Sequence, residues 1–424
     1  MNDKRNERLN QITEQTIVIG IDIAKHKHYA IAVDDRGREL SKAFPIDQNR
    51  KGFEKFTFQI QELLDKHGKD HVLIGFEPTG HYWMNLAAYL IGADIPFVAV
   101  NPMHVNRSKE FDDNSQTKND QKDARIIAKL IVGGYFSYPK VPGGIEAELR
   151  NGSAFRWKLR EEQTRIKNQI TGWMDQYFPE FTSGIKGLGQ LSCAVLKQTP
   201  LPEDLLGRSV EDLAKLYKEE GAKLASKPKI RELQELAQRS IGLTEGSQMA
   251  RIEIGTLIDQ YRLVERRLTA LDQELEKLAK QLPEFEFLLS VPGIGVNTVT
   301  DLLAETGSLK QYNSPRQIIN LAGLSLRENS SGKHKGQKKL SKRGRRRLRS
   351  LLYKAIMPLL RNNDVFHELY TYYITRTNNP LKKKEAMVVL CGKLVKIFFG
   401  LSVHESYFNE DKMRQDLHCL EKAS

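Results

Sequence analysis

The chain has 424 residues, 40% of them hydrophobic and 28% charged, a balance typical of a globular protein of about two to four domains. Its Lys and Arg exceed its Asp and Glu by 13, and its three cysteines lie far apart, which excludes a disulfide scaffold and predicts a cytoplasmic protein. Lys393 and Lys396 interrupt the best apolar run before it reaches about 18 residues, so no membrane span is expected.

Residues 1–140 have the pattern of an α/β domain. Apolar, β-branched runs predict strands, and apolar residues at helical spacing predict the helices between them. The segment from Asp34 to Gly37 is a typical hairpin turn leading into a third strand. Three hairpin-linked strands followed by alternating helices and strands favour a mixed sheet with helices packed on it. We predict strands at 16–23, 29–33, 39–44, 71–76 and 96–100, and helices at 53–64 and 83–91.

The centre of the chain has a heptad pattern. From Ile254 to Leu282, apolar residues recur at alternating steps of three and four, which predicts a coiled-coil helix. Its partner is either a helix predicted at 145–178 or another subunit, and the spacing does not distinguish them. We predict a coiled-coil arm formed by residues 141–178 and 247–285, with a helical insertion at 179–246.

Residues 286–405 are predicted to form a mainly α-helical C-terminal domain, followed by a polar tail at 406–424. Within it, residues 288–305 resemble a helix-hairpin-helix, because two apolar runs flank a Pro-Gly-Ile-Gly turn. Gly293 and Gly295 would allow a tight turn whose N–H groups contact a DNA phosphate without reading the base sequence. A plain turn between two packed helices is the alternative.

The excess positive charge is concentrated in one segment. Residues 333–349 contain ten Lys or Arg and no acid, and without them the net charge would be only +3. Because the segment is interior and flanked by apolar runs, we interpret it as a polyanion-binding site rather than a solvated tail. The residues that we predict to contact nucleic acid are Arg327, Lys333, Lys335, Lys338, Lys339, Lys342, Arg343, Arg345, Arg346 and Arg347.

Four carboxylates of the N-terminal domain have positions suited to metal binding. Asp22 lies within the first strand, where an unpaired charge is costly, and Glu77 directly follows another strand. Asp120 and Asp123 are three residues apart at the start of a predicted helix, so they share one face. Together they would hold two Mg²⁺ or Mn²⁺ ions about 3.5–4 Å apart for phosphodiester chemistry. Taken singly, each acid has a structural explanation, such as a helix N-cap for Asp120.

The segments GIDIAKHKHYAIAV, FEPTGHYWMNLAAYL, VNP and KNDQKDARIIAKL, in this order, resemble the RuvC-like domain of the one-ten family of insertion-sequence transposases. These Asp-Glu-Asp-Asp transposases are related to the pilin-gene inverting recombinase. The resemblance implies an RNase H-like fold and identifies the metal-binding catalytic residues as Asp22, Glu77, Asp120 and Asp123. Asn119 replaces the threonine that is commonest before the third acid, and we do not expect this departure to affect metal binding.

The segment from Leu321 to Arg349 also resembles the family, whose C-terminal domain has a serine–glycine pair before a basic helix. The resemblance places the nucleophilic serine at Ser331, followed by Gly332, with Ser330 one position away. From its chemistry alone, Ser-Ser-Gly is an ordinary loop. The cations that would stabilise a pentavalent phosphate and favour the alkoxide are Arg327, Lys333 and Lys335.

We therefore predict a DNA transposase or site-specific recombinase that cuts and rejoins strands through a phosphoserine intermediate. The resemblance further implies a homo-oligomer (dimer or tetramer) and a structured guide RNA encoded by the mobile element, in a cytoplasmic, nucleoid-associated protein. The main alternative is a RuvC-like, metal-dependent junction nuclease without a covalent intermediate. A sugar-kinase-like or chaperone-like ATPase would need phosphate and adenosine loops that are not evident. An architectural DNA-binding protein would leave Asp22 and Glu77 unexplained.

Overall fold

The structure is a computed structural model of the chain, and it divides into two compact units, residues 1–141 and 142–424. The N-terminal unit combines a six-stranded sheet with helices, and the C-terminal unit is mostly helical, which confirms the predicted α/β and mainly α regions. The residues that the structure describes are 2–108, 120–327, 330–331, 334–336 and 338–414.

The N-terminal unit begins with a helix and then follows the predicted alternation of strands and helices. Its strands are β1 (Thr16–Asp22), β2 (Lys27–Val33), β3 (Phe44–Asp47), β4 (His71–Phe76), β5 (Phe97–Val100) and β6 (Phe136–Ser137). Its helices are α1 (Asn2–Leu9), α2 (Arg50–His67), α3 (Trp83–Gly92), α4 (Pro102–Ser108) and α5 (Asp120–Val132).

The sheet has the strand order β3-β2-β1-β4-β5-β6. β1 pairs in parallel with β4, and β4 with β5, whereas the outer pairs are antiparallel. Helices α2 and α3 pack on the face that includes Ile19 and Phe76, and α5 packs on the opposite face, against Val18 and Leu73. Because both faces are covered, the central strands are apolar on both sides, as their sequences indicated.

The third strand is present and antiparallel to β2, but it lies later than the predicted 39–44, because β3 begins only at Phe44. Glu39 makes no more than an isolated bridge with β2. The backbone N–H of Ala32 donates to the hydroxyl of Ser41 (3.1 Å) instead of to a carbonyl of the incoming chain. A side chain thus replaces one backbone partner, the N–H of Leu40 still donates to the carbonyl of Ala32 (2.8 Å), and a continuous ladder with β2 begins only at Phe44.

The C-terminal unit contains two long helices, a set of shorter ones and two short hairpin ladders. The long helices are α6 (Gly144–Tyr177) and α12 (Ser247–Ala279), and between them lie α7 (Phe181–Gly184), α8 (Gln190–Gln198), α9 (Pro202–Leu206), α10 (Val210–Glu219) and α11 (Lys227–Gln238). Then come α13 (Glu284–Leu289), α14 (Val296–Thr306), a 3-10 turn (Leu309–Gln311), α15 (Pro315–Leu321), β7 (Leu326–Arg327), β8 (Ser330–Ser331), β9 (His334–Lys335), β10 (Lys339–Leu340), α16 (Arg346–Asn362), α17 (Asp364–Thr375) and α18 (Lys383–His404).

The helix that faces the heptad residues of α12 is α6 of the same chain. Arg156 pairs with Asp272 (2.9 Å), and the indole N–H of Trp173 donates to the carbonyl of Ala250 (3.0 Å). As α6 proceeds from 156 to 173, its partner positions on α12 move back from 272 to 250, so the two helices are antiparallel. Within the chain, the helix predicted at 145–178 thus covers the heptad face of α12.

Two hydrophobic cores lie along this helix pair. One end of the pair packs with α7–α11, so the segment 179–246 shares a core that includes Trp173, Tyr217 and Ile254. The other end, through Leu149 and Leu275, packs with α13–α18. The pair therefore connects the inserted helices to the helices that carry the serine hairpin and the basic segment.

Helix α18 is long and apolar enough to cross a membrane by length and hydropathy alone, and no other helix of the described residues is. Half of its apolar window is buried, and Leu390, Leu394 and Phe398 belong to the core of the C-terminal unit. A core helix has this pattern of burial, and Lys393 and Lys396 interrupt the apolar run.

Candidate functional site

Asp22 and Glu77 lie at the carboxyl ends of two paired parallel strands. In the register of β1 and β4, Gly20 is paired with Gly75 and Ile21 with Phe76, so Asp22 and Glu77 are the next positions of the two strands. Both side chains are half-buried. Since alternate residues of a strand share a face, Asp22 and Glu77 belong to the face on which α5 packs.

Two glycines bring α5 close to these strands. A Cβ atom added to Gly20 would lie 2.5 Å from the backbone nitrogen of Ala128 and would also meet the carbonyl oxygen of Ala124. A Cβ atom at Gly75 would meet the side chain of Ile131. Any larger residue would push the helix away, so glycine is required at both positions. The first turn of α5 is thereby held near the ends of β1 and β4.

Asp120 and Asp123 occupy this first turn. Asp120 is the first residue of α5, as predicted, and Asp123 directly precedes Ala124, which contacts β1. Positions 120, 123 and 124 share one helix face because they are separated by three and four residues. Asp123 is half-buried, whereas the side chain of Asp120 lies outside the described residues. The backbone thus brings all four predicted positions to one end of one sheet face.

A buried histidine supports the turn that follows Asp22. His28 is fully buried, and its Nδ1 accepts a hydrogen bond from the backbone N–H of Ala24 (3.1 Å). Its Nε2 therefore carries the proton and donates to Gln48, whose amide donates to the carbonyl of Tyr82 (2.7 Å). Burial lowers the pKa of His28, in spite of these hydrogen bonds. A neutral imidazole thus ties the turn after β1 to the segments that precede α2 and α3.

The chemistry of this donor set fits a hard divalent cation, which prefers carboxylate oxygens. Among the side chains that the structure describes, no group of three or more His, Cys, Asp or Glu is gathered tightly enough to hold a metal ion. Asp22, Glu77 and Asp123 each have interactions within the protein. The register therefore places suitable ligands at one sheet end, and metal coordination by them stays a prediction.

The serine pair lies in a short hairpin of the C-terminal unit and not in an open loop. Ser330 pairs with Lys335 and Ser331 with His334, in the antiparallel ladder of β8 and β9. Lys333 and Gly332, between these strands, lie outside the described residues, and of Ser330, Ser331 and Lys335 only the backbone is described. Ser331 is thus the last ladder position of β8.

The base of this hairpin is fixed to the turn after α15. β7 pairs with β10, and the backbone N–H of Lys342 donates to the carbonyl of Gly323 (3.0 Å). Arg349 of α16 donates to the carbonyls of Ala322 (2.9 Å) and Lys342 (3.2 Å). A Cβ atom at Gly323 would lie 2.9 Å from the carbonyl oxygen of Arg343, and φ is +68° there, so glycine is needed in the Ala-Gly-Leu turn.

The predicted basic contacts divide into exposed and packed side chains. Arg345 is half-buried and forms an ion pair with Glu305 (3.8 Å), and Arg347 lies over the ring of Trp157. Arg150 lies close enough to Arg345 to be affected by its charge. The pKa of Arg150 is lowered mainly by burial and secondly by the positive charge of Arg345. The predicted residues that are exposed are Arg327, Lys338, Lys339, Lys342, Arg343 and Arg346.

Helices α13 and α14 flank the Pro-Gly-Ile-Gly turn. Gly293 has φ of +89°, and a Cβ atom there would lie 2.9 Å from the carbonyl of Pro358 in α16. This internal contact explains the glycine at 293 without a DNA phosphate. Around Gly295, at the N-terminus of α14, a Cβ atom would meet nothing within 4 Å. A helix-hairpin-helix contact with DNA stays a prediction.

Sequence reasoning missed the supporting glycines and one buried ion-pair network. An isolated glycine within a strand pattern signals the close approach of another backbone, so Gly20 and Gly75 had a usable signal. Arg156, only 4% exposed, pairs with Asp272 and Asp301 and so joins α6, α12 and α14. These residues are far apart in the sequence, where each has the pattern of an ordinary charged residue on a helix surface.

Comparison with protein families identifies two matching segments. Residues 19–179 match a transposase model of the DEDD type from the IS110 group, and residues 285–371 match the model described as transposase of the IS116/IS110/IS902 family. The four acids lie within the first match, and Ser331 lies within the second.

Several curated proteins are similar along most of their length. The transposase for insertion sequence element IS1111A of Coxiella burnetii is 24% identical over 92% of this chain and 91% of its own length. The pilin gene-inverting protein of Moraxella lacunata is 23% identical over 90% of this chain and 94% of its own. The mini-circle putative transposase for IS117 of Streptomyces coelicolor is 25% identical over 75% of this chain and 78% of its own length.

Proposed function

Because the chain belongs to the IS110/IS116/IS902 family of transposases, we propose that it cuts and rejoins DNA strands of a mobile element through a serine-linked intermediate. It is a DNA transposase or recombinase, and DNA is its substrate. The observation that carries the proposal is the register of β1 and β4, which places Asp22 beside Glu77 where α5 begins.

In this proposal the N-terminal unit has an RNase H-like fold and uses its four acids to hold divalent cations, with Mg²⁺ or Mn²⁺ as the ion. Support comes from the DEDD-type domain match and from the sheet order, with a parallel centre and α5 on one face. A divalent cation held there supplies positive charge that offsets the charge of a phosphodiester under attack. The residues assigned to this role are Asp22, Glu77, Asp120 and Asp123.

Ser331 supplies the nucleophile in the proposed reaction. Its oxygen forms a bond to a DNA phosphorus while the bond to one strand oxygen breaks, and that oxygen takes up a proton equivalent to the one serine loses. The resulting phosphoserine keeps the energy of the phosphodiester for rejoining. Support comes from the position of Ser331 at the tip of a hairpin that is flanked by exposed cations.

We also propose that the protein acts as a homo-oligomer in the cytoplasm, associated with the nucleoid, and that a structured RNA from the element guides it. The test is to purify the full chain from cells that carry its element and to sequence the bound nucleic acid. We expect a structured RNA from the element, and DNA strands that match it should be exchanged in Mg²⁺ but not in EDTA. Exchange that persists without divalent metal, or without the RNA, would contradict the corresponding part of the proposal.

The exposed basic side chains should provide the salt-dependent part of DNA binding. Changing Lys338, Lys339, Lys342, Arg343 and Arg346 to glutamine should flatten the slope of log K against log salt. If each contacts one duplex phosphate, counterion release gives a change of about 4 to 5 units. A matched control removes five exposed charges of the insertion, Lys215, Lys218, Lys223, Arg231 and Arg239. Equal slopes for the two variants would show that the basic segment is only a solvated surface.

A further inference from the structure

Three helices of the C-terminal unit, α6, α14 and α16, line a cavity of about 650 Å³ that is open to solvent on one side. Its lining residues recur at steps of three and four on each helix, so each helix contributes one face. On α16 these residues are Arg347, Leu351 and Lys354. The volume is in the range of sites that bind small molecules and nucleotides.

Trp157 of α6 provides a flat aromatic wall of this cavity. Its indole N–H donates to Oε1 of Glu161 (2.9 Å), which fixes the orientation of the ring. The Arg347 Cζ lies 5.9 Å from the ring centroid, and the Lys354 Nζ lies 5.2 Å from it. An electron-rich ring with cations beside it is the arrangement that stacks a base and contacts its phosphate.

The cations of the cavity are not equally available. Arg156 is buried and satisfied, because it pairs with Asp272 (2.9 Å) and Asp301 and donates to Asn297 (2.9 Å). Within the part of the chain that the structure describes, neither Arg347 nor Lys354 has a carboxylate at ion-pair distance. The buried network therefore makes one wall rigid, and the two cations of α16 remain available to an anionic ligand.

We propose that this cavity binds one unpaired nucleotide of a nucleic-acid strand, with the base stacked on Trp157 and the phosphate held by Arg347 and Lys354. Both cations are on long side chains, which move from the ring to the phosphate when the base takes their place. A duplex keeps its bases stacked inside and leaves the ring without a partner. Inorganic phosphate alone would not use the ring, and an apolar ligand does not match the charged lining.

The proposal concerns binding and is independent of the chemistry proposed for Ser331. It is tested with the full chain and labelled ten-nucleotide strands of DNA and of RNA, a DNA duplex and free thymidine monophosphate. Trp157→Leu should weaken binding of single strands about 5- to 100-fold, the usual effect of losing one stacked base, and should leave the salt slope unchanged. Trp157→Phe keeps a ring and should stay close to wild type.

The matched control is Phe155→Leu, which removes a ring that is 50% exposed on the same helix and does not line the cavity. This variant should bind every probe as the wild type does. Arg347→Gln with Lys354→Gln should reduce the salt slope for single strands by about 0.7 units, because both cations contact the same phosphate. If Trp157→Leu loses more affinity for the DNA strand than for the RNA strand, the natural nucleotide belongs to DNA. The opposite result assigns it to RNA.

Three results would overturn the proposal. In the first, wild type and Trp157→Leu bind single strands with equal affinity. In the second, Trp157→Leu loses as much affinity for the duplex as for single strands. In the third, Trp157→Leu weakens binding of the free mononucleotide only. A measurement on the unaltered chain guards against misfolding of a variant: ultraviolet cross-linking of a strand that contains 5-iodouracil, followed by mass spectrometry. We expect attachment at Trp157, and attachment only outside the cavity would contradict the site.

Discussion

Replacement of Asp22 or Asp123 by alanine should remove most strand cleavage and leave DNA binding near the wild-type affinity. Removal of one carboxylate takes away a proposed metal ligand but adds no negative charge that would repel DNA phosphate. A bound cation contributes several kcal/mol to the transition state of phosphoryl transfer, so we expect cleavage to fall about 10²- to 10⁴-fold. The measurement is the rate of strand cutting in Mg²⁺, beside a binding titration under the same conditions.

The matched control is Asp70→Asn, an exposed carboxylate directly before β4, at the opposite end of the strand from Glu77. It makes the same change in charge within the same unit, and we expect full cleavage. Thermal unfolding of each variant identifies any loss of fold, since Asp22 and Asp123 also have interactions within the protein. Full activity of both alanine variants in Mg²⁺ would refute the assignment of the metal site.

The sheet and its acidic end could be predicted because they depend on short-range patterns. The β-branched run of β1 and the turn-flanked run of β4 indicate buried strands, whereas their parallel register is seen only in the structure. The start of β3 was not predicted, and near it the hydroxyl of Ser41, not a backbone carbonyl, accepts the N–H of Ala32. Strand propensity does not report such a bond.

The packing of the arm illustrates a different limit. A heptad pattern shows that one face of α12 is covered, but not by which helix, because any apolar face satisfies the same spacing. In the structure α6 packs antiparallel on α12 through specific pairs such as Arg156 with Asp272, which are more than 100 residues apart. Trp157 was overlooked for the same reason, since its cavity is formed only when α16 packs beside α6.

Ser331→Ala should bind DNA normally, form no covalent protein–DNA adduct and fail to recombine. Without the hydroxyl there is no oxygen to attack phosphorus, so the rate of strand cutting should fall roughly 10³-fold or more. The measurement is a denaturing gel of a labelled DNA substrate, on which the wild-type adduct runs as a species sensitive to proteinase. Binding measured in parallel separates loss of chemistry from loss of the complex.

Ser330→Ala is the matched control, because it makes the same change one position away in the same short strand. Neighbouring residues of a strand have side chains on opposite faces, so only one of the two serines is expected to approach the phosphate, and Ser330→Ala should keep most of the activity.

The alternative function, a metal-dependent junction nuclease, uses water as its nucleophile and predicts that Ser331→Ala still nicks DNA. Cleavage by Ser331→Ala at the wild-type rate, without an adduct in the wild type, would therefore replace the serine mechanism by the nuclease mechanism. Loss of the adduct in Ser330→Ala alone would instead move the nucleophile by one residue and leave the mechanism in place.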